Sequence, residues 1–348
     1  MRWITCNGNY VYQLGLDQKV DEITLTPVIP NAIVKASNMS SYDSVSKATQ
    51  EFIDKINLNR NNKQVTLQYF VEQIDMADYV EFVKKELESA MVFYDSIGLS
   101  RYMPKTVKVF IAKTNDGMTN MIKVNCNSRG EYWPGGTGAS MCLNNIDGEI
   151  VINVPANVLG SMVYDPNVDL STVTKSREMI LSFRWAIAHE LYHLYQLGNW
   201  RGNALGSHDP LPWIVEGSAQ YFSMLYLAKD LGTPNAYQYL WEVIQLTNLV
   251  PPGQGPENGP LGCTNPAKEM AWGTEDARKQ CQYTQGMLIA ETFVARYGLS
   301  KWIELLEGQN NGNLNQFPSF FKTVTGDDVD IFYSAADQHS RNMGYQIK

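Results

Sequence analysis

Two features that the sequence lacks, a long apolar run and an excess of basic residues, narrow the class of protein. The 348-residue chain has no uninterrupted apolar run approaching the ~18 residues that a membrane helix needs, which excludes an integral membrane protein. Lysine and arginine (28) are outnumbered by aspartate and glutamate (36), which gives a formal net charge of −8. Binding to nucleic acid phosphates relies on an excess of basic residues. We therefore expect a protein that neither spans a membrane nor binds nucleic acid.

Charged residues are also scarce, and no cysteines are closely spaced. Only 18% of residues are charged, so much of the polarity comes from uncharged side chains, which favours an extracellular surface.

None of the five cysteines forms a CxxC pair, which excludes a zinc knuckle or a thioredoxin-type motif. Cys126/Cys142 and Cys263/Cys281 form two local pairs across loops, and Cys6 is left over. Local disulfides, an exchanged connectivity and buried free thiols all remain open.

The N-terminal segment does not have the pattern of a secretory signal peptide. A basic region followed by an apolar region is missing from MRWITCNGNYVYQLG. The low charge and the candidate disulfides predict a secreted, extracellular or periplasmic protein, and the missing signal peptide then implies a mature or truncated form. A cytosolic protein with buried thiols is the alternative.

The hydrophobic pattern predicts an α+β chain with a mostly helical C-terminal half. Apolar residues at steps of three and four predict a helix that ends before Gly98, and alternation predicts strands within 105–113 and 148–158. Residues 114–148 between them are predicted as a loop. Helical patterns then recur at 176–197, 212–230, 234–248, 282–297, 300–307 and 327–340. This order of elements favours α+β over alternating α/β.

The chain length suggests two domains or regions. Residues 1–70 are predicted as a small β-rich N-terminal region of unclear role. Residues 71–348 are predicted as the main domain, with a sheet-containing part at 71–200 and a helical part at 201–348.

The most specific motif is His189-Glu190-x-x-His193, within the apolar segment WAIAHELYHLYQ. Two histidines four positions apart on a helix project from one face, ~6 Å apart at Cβ, which suits two ligands of one zinc ion. Glu190 can then reach a water on the metal without ligating it. Because the chain has only four histidines, the expected number of chance occurrences of this motif in a sequence of this length and composition is roughly 0.002. A pair of core histidines with other partners is the alternative.

A catalytic zinc site also needs a third protein ligand and an open position. Glu216 lies in the middle of the apolar segment LPWIVEGSAQYF, and the small residues 217–219 allow close packing against the HExxH helix. We therefore expect Glu216 to be the third ligand. The alternative is a carboxylate that interacts favourably with the N-terminal end of a helix beginning after Pro212.

The HExxH motif followed by WxxEGxAxY, which runs from Trp213 to Tyr221, resembles the gluzincin metallopeptidases. The catalytic domains of the aminopeptidase N group and of the clostridial-type collagenases are the most similar, over roughly residues 75–340. The resemblance implies a thermolysin-like domain with a small mixed sheet and Glu216 as a metal ligand. It also implies that Tyr283, in a segment similar to the family's YxxG element, stabilises the tetrahedral intermediate. A core tyrosine is the alternative for Tyr283.

Two departures from the family pattern bear on activity. The GxMEN motif, which anchors the free amino group of aminopeptidase substrates, is absent, which favours an endopeptidase. Thermolysin-like members carry an Asp one turn after the ligand Glu, where it supports a ligand histidine. This chain has Gln220 there, so the residues that support the ligands must be arranged differently.

The resemblance thus implies zinc-dependent hydrolysis of peptide bonds with one Zn²⁺ per chain. Zinc would activate a water molecule, Glu190 would act as general base and Tyr283 would stabilise the oxyanion. The expected substrate is an extended polypeptide that pairs with an edge strand at 149–154. The alternatives are a zinc hydrolase of the same fold that acts on a non-peptide substrate, and a catalytically silent binding module.

Overall fold

The fold of the chain is described from a computed structural model. It describes residues 3–6, 9–12, 44–58, 65–72, 77–126, 137–142, 146–153, 170–199, 211, 213–232, 236–240, 285–308 and 317–343. The strands among them are β1 (Trp3–Cys6), β2 (Asn9–Tyr12), β3 (Thr66–Val71), β4 (Thr106–Ala112), β5 (Thr137–Met141) and β6 (Gly148–Asn153). The helices are α1 (Ser44–Lys55), α2 (Ala77–Ser96), α3 (Asn115–Cys126), α4 (Leu170–Asn199), α5 (Ser218–Leu231), α6 (Ala236–Leu240), α7 (Gly286–Tyr297), α8 (Leu299–Gly308), α9 (Phe317–Thr325) and α10 (Val329–Asn342). The protein is therefore α+β and mostly helical, as the sequence predicts.

A mixed four-stranded sheet in the order β3-β4-β6-β5 organises the first half of the chain. β4 pairs in parallel with β3 on one side and with β6 on the other, whereas β5 runs antiparallel to β6. Ile111 in β4 lies between Val71 and Ile152, and Ala139 in β5 lies opposite Ile150. β1 and β2 form a separate antiparallel pair.

The strand predicted at the edge of the sheet is an interior strand. Residues 149–154 were expected to pair with substrate, but β6 has β4 on one side and β5 on the other. Its backbone N–H and C=O groups are therefore already used, and the prediction for this strand is wrong. The two edge strands are β3 and β5, and β5, the edge next to β6, lies in the segment predicted as a loop. Its sequence, TGASM, is too short and too rich in small residues to give an alternating hydrophobic signal.

Helices cover both faces of the sheet, because successive residues of a strand point to opposite sides. The face toward α2 and α4 belongs to the main core, which includes Val107, Val109, Ile111, Ile150 and Ile152. The opposite face packs under α3 in a smaller cluster that includes Phe110, Val151, Met118 and Ile122. The sheet is therefore the middle of three layers, and the HExxH helix α4 lies directly on it.

Helix α1 and strand β3 belong to the same packed unit as the sheet. α1 contacts α5 and α7, and β3 pairs along its whole length with β4. The boundary predicted at residue 70 therefore falls inside a strand of the central sheet. The buried face of α1 carries Ser46, Thr49 and Ile53, which is too polar a set for hydrophobic periodicity to identify.

Several elements lie where the sequence predicts them. α2 ends before Gly98, whose φ of 85° allows the chain to leave the helix, and β4 lies within the predicted strand. α3 was missed because Asn, Gly and Thr weaken the helical pattern of NDGMTNMIKVNC, although Met118, Ile122 and Cys126 recur every fourth residue.

Among the described helices, none is both long and apolar enough to cross a membrane.

One of the two local cysteine pairs forms a disulfide. Cys126, the last residue of α3, is bonded to Cys142, the residue after β5. Both are buried in the cluster beneath α3. This bond ties the outer helix layer to the end of the edge strand. The other pair, Cys263 and Cys281, lies outside the described residues.

In the described part of the C-terminal half, most helices pack around α7. This helix contacts α1, α5, α8 and α10, and residues 286–294 are all buried. Glu291 in α7 accepts a hydrogen bond from His339 Nε2 of α10 at 2.9 Å in the fully buried core. Trp213 packs against Phe293 and Trp302, with ring centroids 6.4 and 6.0 Å apart. These contacts attach the segment just before α5 to the helical core.

A buried charged cluster joins α2, α4 and α5. Arg184 donates from Nε to Glu86 at 2.8 Å and from Nη2 to Asp230 at 2.6 Å. Tyr226 donates to the other oxygen of Glu86 at 2.7 Å. Burial raises the pKa of Glu86, while the guanidinium of Arg184 acts in the opposite direction. The side chains of Arg184 and Glu86 are only 4% and 5% exposed, so neither charge has water as a substitute partner.

Substituting Arg184→Gln is expected to lower the free energy of unfolding by ~3–5 kcal/mol, because it leaves the carboxylate of Glu86 buried without its cation. Urea denaturation followed by circular dichroism measures the change. The matched control is Arg101→Gln, because Arg101 pairs with Glu307 at the surface, where 50% and 46% of the side chains are exposed. That change is expected to cost no more than ~1 kcal/mol. Equal costs for the two variants would contradict the role given to the buried cluster.

Candidate metal centre

Helix α4 presents two histidines from its buried side. Leu191, Leu194 and Ala188 around them are fully buried in the main core, which holds α4 on the sheet. His189 and His193 lie one turn apart, and their rings meet edge to face with centroids 4.6 Å apart. The expected projection from one helix face is therefore present in the structure.

Glu216 reaches these histidines from a π-helical turn, Trp213–Gly217, that leads into α5. Such turns occur frequently at functional sites. Trp213 is fully buried and anchors the start of the turn. At its end, a Cβ on Gly217 would collide with the backbone of Gly286 at the start of α7. Glycine at 217 therefore lets the turn that carries Glu216 pack closely on α7.

The three candidate ligand atoms form a small triangle. His189 Nε2 lies 3.0 Å from His193 Nε2, and Glu216 Oε2 lies 3.2 and 3.3 Å from these two nitrogens. Tetrahedral ligands bound to zinc at about 2.0–2.1 Å lie about 3.3–3.4 Å from one another. The triangle is therefore close to the size that such an ion requires. Two imidazole nitrogens and one carboxylate oxygen are also ligands that zinc prefers.

A second group of possible ligands in the described part of the chain does not offer the same chemistry. Cys126, Cys142 and Glu149 lie close together behind the sheet. Their two sulfur atoms are bonded to each other, so no thiolate is present to bind a metal. The group formed by His189, His193 and Glu216 is therefore the stronger candidate.

The electrostatics of the site favour a positive charge between the three side chains. Burial lowers the pKa of His193, but the carboxylate of Glu216 outweighs it and the pKa rises to about 9. Burial by itself raises the pKa of Glu216, yet His193 and His189 hold it well below its usual range. A divalent cation bound there would place its positive charge at the same point.

Glu190 lies beside the triangle and next to the sheet edge. Burial raises its pKa, and the two histidines act in the opposite direction. Its carboxylate also accepts a hydrogen bond from the backbone N–H of Ala139. This N–H of β5 is therefore turned toward α4. A carboxylate with a raised pKa is a stronger base than one at the surface, which suits proton transfer near neutral pH.

The remaining predicted site residues have different outcomes. Tyr283 lies outside the described residues, so its role stays a prediction. Gln220 is buried on α5, and its Oε1 has no hydrogen-bond partner among the described residues. The residue that the sequence reasoning missed is Gln196, which contacts His193 Nδ1 at 2.7 Å. A polar side chain one turn after His193 on the buried side of α4 was the available signal.

Searches against known protein families, curated proteins and solved structures find no match for this chain. The functional assignment therefore depends on the residues and on their geometry.

Proposed function

We propose that this chain is a zinc metallopeptidase of the gluzincin type that acts as an endopeptidase. The observation that carries the proposal is the triangle of His189, His193 and Glu216, whose ligand atoms lie 3.0–3.3 Å apart. Its size and its donor atoms fit one zinc ion with an open fourth position. The HExxH helix also lies on a mixed sheet, which is compatible with the thermolysin-like fold that the resemblance implies.

His189, His193 and Glu216 would hold the zinc ion. When bound, zinc supplies a Lewis acid that lowers the pKa of water to about 7 and polarises a carbonyl group. Glu190 does not belong to the triangle, which leaves its carboxylate available to take a proton from the attacking water and to return it to the leaving amine. Tyr283 is proposed to stabilise the oxyanion, as the resemblance implies.

The position of β5 supports a polypeptide substrate. β5 is the edge of the sheet next to α4, and the N–H of Ala139 already reaches Glu190. An extended peptide that added to this edge would pass beside the proposed general base and the metal ligands. β5 therefore replaces residues 149–154 as the proposed substrate strand.

A secreted, extracellular or periplasmic location remains part of the proposal. The buried disulfide between Cys126 and Cys142 supports it, because such bonds persist mainly in oxidising compartments. The alternatives are a hydrolase of the same fold with a non-peptide substrate and a silent binding module. The presence of both Glu190 and a complete triangle of ligand side chains disfavours the silent module.

Metal analysis combined with a peptidase assay tests the proposal. The purified chain is loaded with Zn²⁺ and dialysed, its zinc content is measured, and it is incubated with a denatured protein that carries quenched fluorophores. We expect one zinc per chain and cleavage that stops on removal of the metal and returns when zinc is restored. Zinc without cleavage would favour a non-peptide substrate or a binding role. Failure to take up zinc would overturn the proposal.

A further inference from the structure

Gln196 lies at the junction of the two segments that carry the candidate ligands. It belongs to α4, three residues after His193, and is fully buried. Its Oε1 lies 2.7 Å from His193 Nδ1. Its Nε2 donates toward the carbonyl oxygens of Ile214 and Val215, at 2.9 and 3.0 Å. One side chain therefore contacts a candidate ligand and also the turn that carries another.

These contacts fix which nitrogen of His193 carries a proton. The carbonyl oxygens of Ile214 and Val215 can only accept hydrogen bonds, so the NH₂ group of Gln196 must face them. The amide oxygen of Gln196 then faces His193 and requires an N–H donor at Nδ1. In the neutral ring this leaves the lone pair on Nε2, the nitrogen that lies in the triangle with His189 and Glu216.

The same amide is anchored in a longer buried network. Gln196 Nε2 also lies 3.0 Å from Ser218 Oγ, and Ser218 donates to the carbonyl oxygen of Ile214 at 2.5 Å. Trp302 Nε1 donates to Tyr192 Oη at 3.0 Å, and this oxygen lies 3.3 Å from Ser218 Oγ. The network thus joins α4, the π-helical turn and α8 behind the candidate metal centre.

We propose that Gln196 is a positioning residue for the metal centre. Its amide oxygen holds His193 with Nε2 free to bind metal, and its amide nitrogen fixes the turn that presents Glu216. This inference rests on the proposed function, because it assigns Gln196 a role toward the zinc ion. It also explains how the site dispenses with the Asp that thermolysin-like members carry at the position of Gln220. Support for one ligand histidine comes instead from the helix that carries it.

Zinc affinity, measured by competition with a chromogenic chelator, tests the proposal on three variants. Gln196→Leu removes both functions of the amide and is expected to weaken the Kd for zinc by about 10–100-fold. Gln196→Glu loses the donor to the turn but keeps an oxygen acceptor for His193 Nδ1–H. Because a carboxylate behind a ligand histidine makes that histidine a stronger ligand, we expect an affinity within about threefold of wild type, or tighter. The matched control is Gln220→Leu, the same change at a buried glutamine of α5, which is expected to leave the affinity unchanged.

The midpoint of thermal unfolding without metal separates positioning from folding. Both variants at 196 are expected to unfold at lower temperature, because Ile214 and Val215 lose a donor. Only Gln196→Leu should also lose zinc affinity. If Gln196→Glu lost as much affinity as Gln196→Leu, or if Gln196→Leu bound zinc like wild type, the positioning role would be wrong.

The wild-type chain provides a test that needs no variant. Long-range ¹H–¹⁵N NMR spectra of the zinc-loaded protein are expected to place the proton of His193 on Nδ1. A proton on Nε2, with zinc bound, would overturn the inference and leave the proposed function standing. Absence of zinc binding by wild type in the competition assay would overturn both.

Discussion

Substituting Glu190→Gln is expected to lower the rate of peptide hydrolysis by at least ~10²-fold, and up to ~10⁴-fold, while the chain still binds one zinc ion. The glutamine oxygen can still accept a hydrogen bond from the backbone N–H of Ala139, and the side-chain volume is nearly unchanged. What the variant loses is a partly buried carboxylate with a raised pKa, placed beside the candidate ligands. The quenched-fluorescence assay, run with a zinc analysis on the same samples, measures both effects.

The control for this variant is Glu88→Gln, the same chemical change at an exposed position of α2. It should leave the rate and the zinc content unchanged. If Glu190→Gln cleaved the substrate as fast as wild type, Glu190 would not be the general base. If this variant lost its zinc as well, the residue would have to be reassigned as part of the ligand set.

Substituting Glu216→Ala is expected to weaken zinc binding by about 10²–10³-fold. Zinc sites with four protein ligands have apparent binding free energies of roughly 10–16 kcal/mol, so one ligand accounts for roughly 2.5–4 kcal/mol. The side chain of Glu216 is 24% exposed, and its turn is held by Trp213 and Gly217. The metal-free variant should therefore fold, and competition with a chelator gives the affinity.

Glu216→Gln separates the charge of this ligand from its shape. The amide oxygen can still face His189 and His193, but it lacks the negative charge that favours a cation at this place. We expect an affinity between those of wild type and Glu216→Ala. Glu304→Ala, which removes a carboxylate from the surface of α8, serves as the control. Unchanged affinity in Glu216→Ala would remove Glu216 from the ligand set.

The candidate site was accessible from the sequence because its spacing is a local property of helices. His189 and His193 had to share a face once the segment was helical, and the apolar residues around them required that face to be buried. Glu216 could be proposed because a carboxylate in an apolar segment needs a partner, and because the motif around it resembles a family. The structure brings these three side chains within hydrogen-bonding distance of one another.

Which strand lies at the edge of the sheet beside α4 could not be predicted from local sequence patterns. β5 and β6 both lie beside α4, and the sequence gives β6 the stronger strand pattern. A continuous apolar run such as Ile150-Val151-Ile152 indicates a strand that is buried on both faces, and such a strand is more often found inside a sheet than at its edge. The weak pattern of TGASM instead belongs to the edge strand, where a substrate could pair.

Gln196 shows a similar limit on inference from sequence. A glutamine on a buried helix face signals a hydrogen-bond partner, but its partners lie 18 and 19 residues further along the chain, in another element. Only the crossing of α4 with the π-helical turn decides that its oxygen meets His193 and its nitrogen meets the turn.

The sequence by itself determined the α+β class and the helical face that carries His189 and His193, and it indicated Glu216 as their partner. Those features depend on composition and on contacts within one or two helical turns. The tertiary structure alone decided which strand lies at the sheet edge, how closely Gly217 packs on α7 and which residue orients His193. These depend on contacts between distant segments, where backbone groups and side chains select their partners through packing.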